Sequence, residues 1–344
     1  MIFIEKLFIR ILLVFSNFFL RFLPSGNIVI EGKTLHPKIQ FGLILSKLKP
    51  ALDSLSPVKS RIQYKKMIRI FDLKKTALPK IENLFVLNQD HQIPIRIYYP
   101  MKTSEPLPCL LYFHGGGFVI GDLETVDSPV RYLCKQSGCI IISVDYRLSP
   151  ENKFPVAFED SFAAYQWVVA NGKKYSIDTN KIGVAGDSAG GCIATGLCQM
   201  AYERYFSPIP SFQVLIYPCL DLCSESETYQ VYPNFTLTVE LMRYFRNHFF
   251  TNRPKESVNP SYFPFFAKDL KNQPAAFVQL SGFDPLLQEE RDYIQKLQNA
   301  GVDVEFIEYK SLTHGYISMA GILSEAKQAL DGVAEYIKKR QGYN

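Results

Sequence analysis

The ten residues Ile182-Gly183-Val184-Ala185-Gly186-Asp187-Ser188-Ala189-Gly190-Gly191 decide the fold. Ile182 to Ala185 is a short apolar run of the kind that forms a buried strand, and a helical pattern follows to about Glu203. Between them, Gly186-Asp187-Ser188-Ala189-Gly190 puts a serine at the apex of a strand-to-helix turn too sharp for flanking side chains. A bare GxSxG occurs by chance in roughly one chain in ten at ordinary glycine usage. Here the strand before it and the helix after it supply the context the motif needs. A serine hydroxyl attacks only when a base takes its proton, and the resulting oxyanion needs waiting N–H donors. The rest of the chain is therefore searched for a base, its partner and those donors.

The pattern outward from the serine is regular. Ile81 to Leu87 and Ile93 to Tyr99 flank the polar turn Asn88-Gln89-Asp90-His91 and read as a β-hairpin. Cys109 to Phe113, Cys139 to Val144, Phe212 to Tyr217, Ala275 to Leu280 and Val304 to Tyr309 are further buried-strand runs. Helical patterns occupy Val156 to Ala170, Leu286 to Ala300 and about Leu323 to Lys339. Continuous apolar strands alternating with helices predict an α/β protein with a mainly parallel sheet covered on both faces. In such a sheet the functional groups collect on loops at the carboxyl ends of the strands. More than fifty residues rich in Tyr, Phe, Asn and Pro separate Tyr217 from Ala275, and an insertion of that length predicts a lid.

Each missing group has a place in this pattern. His114-Gly115-Gly116-Gly117 follows a buried strand, and three glycines leave the backbone free to aim N–H groups into a cavity. Such a run after a histidine appears by chance in roughly one chain in a thousand. Among five histidines, only His314 follows a buried strand on a Gly-containing loop. His36 lies in the irregular N-terminal part, His91 in a hairpin turn, His114 in the glycine loop and His248 in the lid. Asp284 follows the Ala275 to Leu280 strand and is the expected carboxylate, with helix capping before Pro285 as its alternative use. Glu289 and Asp292 are rivals that fall on the following helix. The chain order is then Ser, Asp, His.

Composition excludes other classes. Hydrophobic residues make up 47% and charged residues 21% of 344, a globular balance, and the formal charge of +5 is spread along the chain. No basic cluster with interleaved aromatics appears, so nucleic acid is not an expected partner. Seven cysteines without a CxxC pair argue against zinc and against a disulfide scaffold, and read as free thiols in a reducing, cytoplasmic setting. Met1 to Leu23 is strongly apolar, interrupted by Glu5, Lys6, Arg10 and Arg21, and too short between charges to span a bilayer. Three readings stand: the first element of a lid, a helix lying on a membrane surface, and a secretory signal or anchor.

His114 to Gly117, Asp145-Tyr146-Arg147-Leu148-Ser149-Pro150-Glu151, Gly186 to Gly191, Asp284-Pro285-Leu286 and His314-Gly315-Tyr316 together resemble the hormone-sensitive-lipase family of α/β-hydrolase esterases. The resemblance runs from about residue 80 to about 340. It implies the α/β-hydrolase fold, carboxylesterase activity on a small-molecule ester, and neither metal nor cofactor. It implies oxyanion donors at the N–H groups of Gly116, Gly117 and Ala189, with His114, Gly115, Gly186, Asp187 and Gly190 supporting the two motifs. It also implies a cap made from residues 1–75 and an insertion at about 222–270, over a catalytic domain spanning 76–344. Gln288 stands where the family often has an acid, and Thr313 and Tyr316 vary the usual neighbours of the histidine, which bears on substrate fit. Glu159 and Asp160 match a family position and are expected to be structural charges. The same resemblance leaves lactone or amide hydrolysis open, and the non-catalytic gibberellin receptors share the architecture but lack the histidine present here as His314. A second copy of the chain is a further candidate partner.

Overall fold

A computed structural model describes residues 26–103 and 105–342, so the expected helix over residues 1–23 lies outside the described part of the chain. The described chain opens with the small hairpin β1 (Val29–Ile30) and β2 (Lys33–Thr34), then helices α1 (Pro37–Ser46) and α2 (Pro57–Phe71). The large sheet follows: β3 (Lys80–Asn88), β4 (His91–Tyr99), β5 (Leu107–Phe113), α3 (Leu123–Ser137), β6 (Ile140–Val144), α4 (Val156–Asn171), β7 (Ile177–Asp187) and α5 (Ala189–Glu203). After β8 (Phe212–Ile216) the insertion carries α6 (Thr228–Val231), α7 (Val239–Phe249) and α8 (Arg253–Glu256). The chain closes with β9 (Ala275–Phe283), α9 (Leu287–Asn299), β10 (Val304–Thr313) and α10 (Ser324–Gln341).

These strands make one eight-stranded sheet in the order β10-β9-β8-β7-β5-β6-β4-β3. The pairs from β10 through β7 to β5 and β6 are parallel, while β4 joins β6 and β3 joins β4 antiparallel. β5, β6, β8 and β9 are buried at every position, as strands covered on both faces must be. The antiparallel edge strand β3 instead leaves Phe85 and Leu87 exposed. From β5 the chain moves to one neighbour, β6, and returns to the other, β7. The loops after β5 and β7 therefore part at a switch point, where an open α/β sheet forms its crevice.

Outside the insertion, three helices escaped the sequence reading for identifiable reasons. α3 carries Pro129 and buries Thr125, Asp127 and Ser128, which blurs the apolar stripe. Asp127 is buried because Arg96, Arg131, Lys75 and the Tyr98 hydroxyl converge on it. The start of α3 is nonetheless written locally, since Asp122 and Thr125 form a capping box and Gly138 ends the helix in the left-handed region. α1 and α2 both begin on proline, Pro37 and Pro57, a helix-start signal in the stretch read as irregular.

Candidate active site

Four loops at the carboxyl ends of neighbouring strands build the site, and the first is the turn from β7 into α5. Ser188 adopts φ 54°, ψ −119°, a strained conformation for a residue with a side chain. It is held there by its N–H donating to Ile216 O at 2.9 Å and its carbonyl accepting from Cys219 N at 3.1 Å. Both flanking glycines are dictated by packing. A Cβ on Gly186 would run into the backbone of Gly190 and Phe113, and one on Gly190 into the Phe113 carbonyl. The serine side chain is left partly exposed while its neighbours on both sides are buried.

His314 arrives from the end of β10, whose register against β9 shifts between Tyr309 and Thr313. Its Nε2 lies 2.8 Å from Ser188 Oγ, and its Nδ1 lies 2.7 Å from Asp284 Oδ2. Asp284 is fully buried at the end of β9. Its other oxygen, Oδ1, accepts the Leu286 N–H at 3.0 Å and closes the turn before α9, whose N-cap is Leu286, so the carboxylate does not cap the helix. Thr236, from the insertion, donates its hydroxyl to the His314 carbonyl at 2.6 Å, and the Tyr217 ring packs 4.7 Å from the imidazole. Neither of these supports was visible in the sequence, because each comes from a residue remote in the chain.

The rival acids are engaged elsewhere. Glu289 Oε1 accepts the Leu220 and Asp221 N–H groups at 2.7 and 3.1 Å, tying α9 to the start of the insertion. Burial outweighs those two bonds and pushes its pKa up to about 8. Asp292 accepts from the Gln288 side chain on the helix surface. Glu290 is fully buried with neither carboxylate oxygen hydrogen-bonded among the described residues. Burial first, and then the nearby Asp284 charge, push its pKa well up.

The glycine loop sits against the serine turn. Asp187 is buried and accepts the Tyr112 hydroxyl at 2.8 Å and the Gly115 N–H at 3.1 Å, which pins the loop to the residue before Ser188. His114 is buried and stacks on Tyr146, whose hydroxyl donates to the His114 carbonyl at 2.6 Å. Gly116 and Gly117 take φ 124° and 59°, and a Cβ on Gly117 would meet the Phe245 ring of α7. Among the described residues, no hydrogen bond uses the N–H groups of Gly116, Gly117 or Ala189. The Asp145 to Glu151 stretch braces this loop from behind. Arg147 pairs with the buried Asp160, Ser149 N–H donates to Phe118 O, and Glu151 pairs with Arg61 of α2. Glu159 takes Arg204 and the Tyr262 hydroxyl, so this acid and Asp160 hold architecture together. The other histidines stand apart: His36 caps α1 and His248 bonds back to Tyr244 O within α7.

Comparison with known proteins bears on the fold and the family. A family model described as the alpha/beta hydrolase fold matches residues 110–318. The carboxylic ester hydrolase LipN of Mycobacterium tuberculosis is 30% identical over 309 residues, covering 87% of this chain and 81% of that protein. An ethyl acetate hydrolase of Pseudomonas putida is 30% identical over 306 residues, covering 88% and 95%. Among solved structures, a hyperthermophilic esterase from Pyrobaculum calidifontis superposes with a TM-score of 0.83 at 35% identity, covering 89% of this chain and 98% of that one. The expected fold and family hold, and the chain belongs to the hormone-sensitive-lipase-like carboxylic ester hydrolases of the α/β-hydrolase fold.

Proposed function

We propose that ester hydrolysis runs through an acyl-enzyme on Ser188, with His314 as base and Asp284 as its partner. The observation that carries this reading is the hydrogen-bonded chain from Asp284 Oδ2 through both imidazole nitrogens to Ser188 Oγ, at 2.7 and 2.8 Å. Asp284 accepts a hydrogen bond from Nδ1–H without taking its proton, which leaves the Nε2 lone pair facing the hydroxyl. As Oγ attacks the ester carbonyl, its proton passes to Nε2 and the imidazolium is stabilised by the buried carboxylate. The proton then goes to the departing alkoxide. Water, deprotonated by the same nitrogen, releases the acid and restores the serine. The carbonyl oxygen, negative in each tetrahedral intermediate, is taken by the N–H groups of Gly116, Gly117 and Ala189, whose donors are uncommitted within the described chain.

The substrate reading is an ester of short to medium acyl chain. Phe245 closes down on Gly117, and the likeness to an ethyl acetate hydrolase points the same way. Residues 26–75 and the insertion at about 222–270 act as the cover of this cleft. α7 contributes Phe245, and its Tyr244 hydroxyl reaches Leu55 O at 3.2 Å, joining the two parts.

A fluorophosphonate probe tests the mechanism. It should label the protein on Ser188, and Ser188→Ala should lose both label and ester turnover while keeping its melting temperature. His314→Ala should be nearly as slow, with the double variant little worse, because groups that act as a unit are not additive. Turnover above a few per cent in Ser188→Ala, relative to the unaltered chain, contradicts the assignment.

A further inference from the structure

Among the described residues, the outer face of α2 and the chain just before it leave several apolar side chains exposed. Leu48 is 81% exposed, Val58 57% and Ile62 53%. Val58, Ile62 and Lys66 follow at intervals of four and form one stripe along the helix. Residues 48–52 lie beside that stripe, since Gln63 Nε2 donates to Pro50 O and Ser60 Oγ to Leu52 O, both at 2.6 Å. Lys47, Lys59 and Lys66 are exposed around the apolar side chains, and none of the exposed residues between 44 and 69 is acidic.

The inner face of the same helix explains why this surface matters. Arg61 donates to Val119 O at 2.8 Å and Ser149 O at 2.7 Å, holding the stretch that directly follows the glycine loop. The loop therefore lies about one helix diameter, roughly 10 Å, beneath the exposed stripe. Residues 1–25 precede the described fold in the chain. Gly26 O and Ile28 N–H both bond the side chain of Gln40 on α1, whose far end leads to Lys47 and Leu48. That segment is itself apolar with Lys6, Arg10 and Arg21 against a single acid, Glu5. Two stretches of the sequence thus combine apolar side chains with positive charge. Like charge disfavours their covering one another, and both complement an anionic lipid surface.

We propose that the exposed face built by residues 47–66 is a lipid-contact surface, where Leu48, Val58 and Ile62 enter the headgroup boundary and Lys47, Lys59 and Lys66 meet anionic headgroups. Bound in this way, the enzyme holds its glycine loop close to the interface in which apolar esters partition. The binding itself does not depend on the catalytic assignment.

Cosedimentation of the full-length protein with vesicles tests it, comparing phosphatidylcholine alone with phosphatidylcholine containing about one-third phosphatidylglycerol. Binding should be at least about tenfold stronger to the anionic vesicles and should weaken with salt. Each basic residue at such a surface contributes about fivefold to partitioning. Lys47→Glu/Lys59→Glu/Lys66→Glu should therefore lose at least about tenfold, and Val58→Ser/Ile62→Ser should lose several-fold. Both variants should hydrolyse a water-soluble acetate ester at the original rate, which separates loss of binding from loss of fold. Absence of binding to anionic vesicles, or equal binding by the original chain and both variants, overturns the proposal. So does a lower melting temperature for the serine variant in lipid-free buffer, because residues 1–25 of the chain would then be what covers this face.

Discussion

Asp284 shows how one residue can satisfy both a local and a distant demand. Its Oδ1 stops the backbone of Leu286 from being left unpaired, while its Oδ2 faces His314, thirty residues on. The sequence reading weighed helix capping against the histidine contact, whereas the carboxylate closes the turn before α9 with one oxygen and meets the histidine with the other. On the proposed mechanism Asp284→Asn keeps the oxygen that accepts the Leu286 N–H and spoils only the imidazole contact. Turnover should fall by a factor on the order of 10⁴ with KM changed little, because the amide favours the wrong tautomer and cannot stabilise the imidazolium. Glu289→Gln should stay within a few-fold of the original rate, since Glu289 holds the Leu220 and Asp221 backbone and does not touch the histidine. Steady-state kinetics on one soluble ester decides this, and the reverse ranking of the two variants would falsify the choice of acid.

At the scale of elements, the glycine loop after β5 and helix α7 of the insertion behave as one unit. Gly117 sits at φ 59° with the Phe245 ring where a methyl group would go. Gly117→Ala therefore meets two obstacles, a left-handed backbone and a collision. Turnover should drop about a hundredfold or more, as when an oxyanion donor is misplaced. Phe245→Ala placed in that variant should restore part of the loss, because it removes the collision and leaves the backbone strain. A double-mutant cycle in kcat/KM measures the coupling, and strictly additive losses would mean that loop and helix are independent. The same ring bears on chain length. The original enzyme should prefer acetate to hexanoate esters, and Phe245→Ala should move the optimum to longer acyl groups. Rates that climb steadily to palmitate in the original enzyme would refute a closed acyl pocket. Other aromatics of the insertion do different work: Phe249 and Phe263 are buried against Phe154, and Tyr232 donates to Glu31 of the first hairpin. The sequence predicted a lid from this aromatic-rich insertion but could not say which rings face the cleft, since side-chain type carries no direction.

Over the whole molecule, what could be read in advance was what the chain encodes locally. The strands, the serine turn and the glycine loop are each spelled by residues within about ten positions, and their order fixes a parallel sheet. The braces that join distant segments were not legible, among them Thr236 on the His314 carbonyl and Arg61 on the loop after Gly117. Glu289 is the brace with the clearest measurable signature. It is fully buried between α9 and the opening of the insertion, and its pKa stands near 8, against an ordinary value of 4.5. Folding therefore keeps a proton that the unfolded chain releases between those two values. Stability attributable to this group is greatest below about pH 4.5, falls by roughly 1.4 kcal/mol per pH unit as pH rises toward 8, and levels off above. Glutamine keeps an oxygen for the Leu220 and Asp221 N–H groups and has no proton to lose. Unfolding in urea, measured at intervals from pH 5 to 9, should show Glu289→Gln gaining on the original protein with rising pH up to about 8 and holding a constant lead beyond. Glu290, also pushed up by burial, adds a decline of the same sign in both proteins. The difference between the two at each pH is therefore the quantity to read, and a difference independent of pH would mean that Glu289 is already ionised in the folded state.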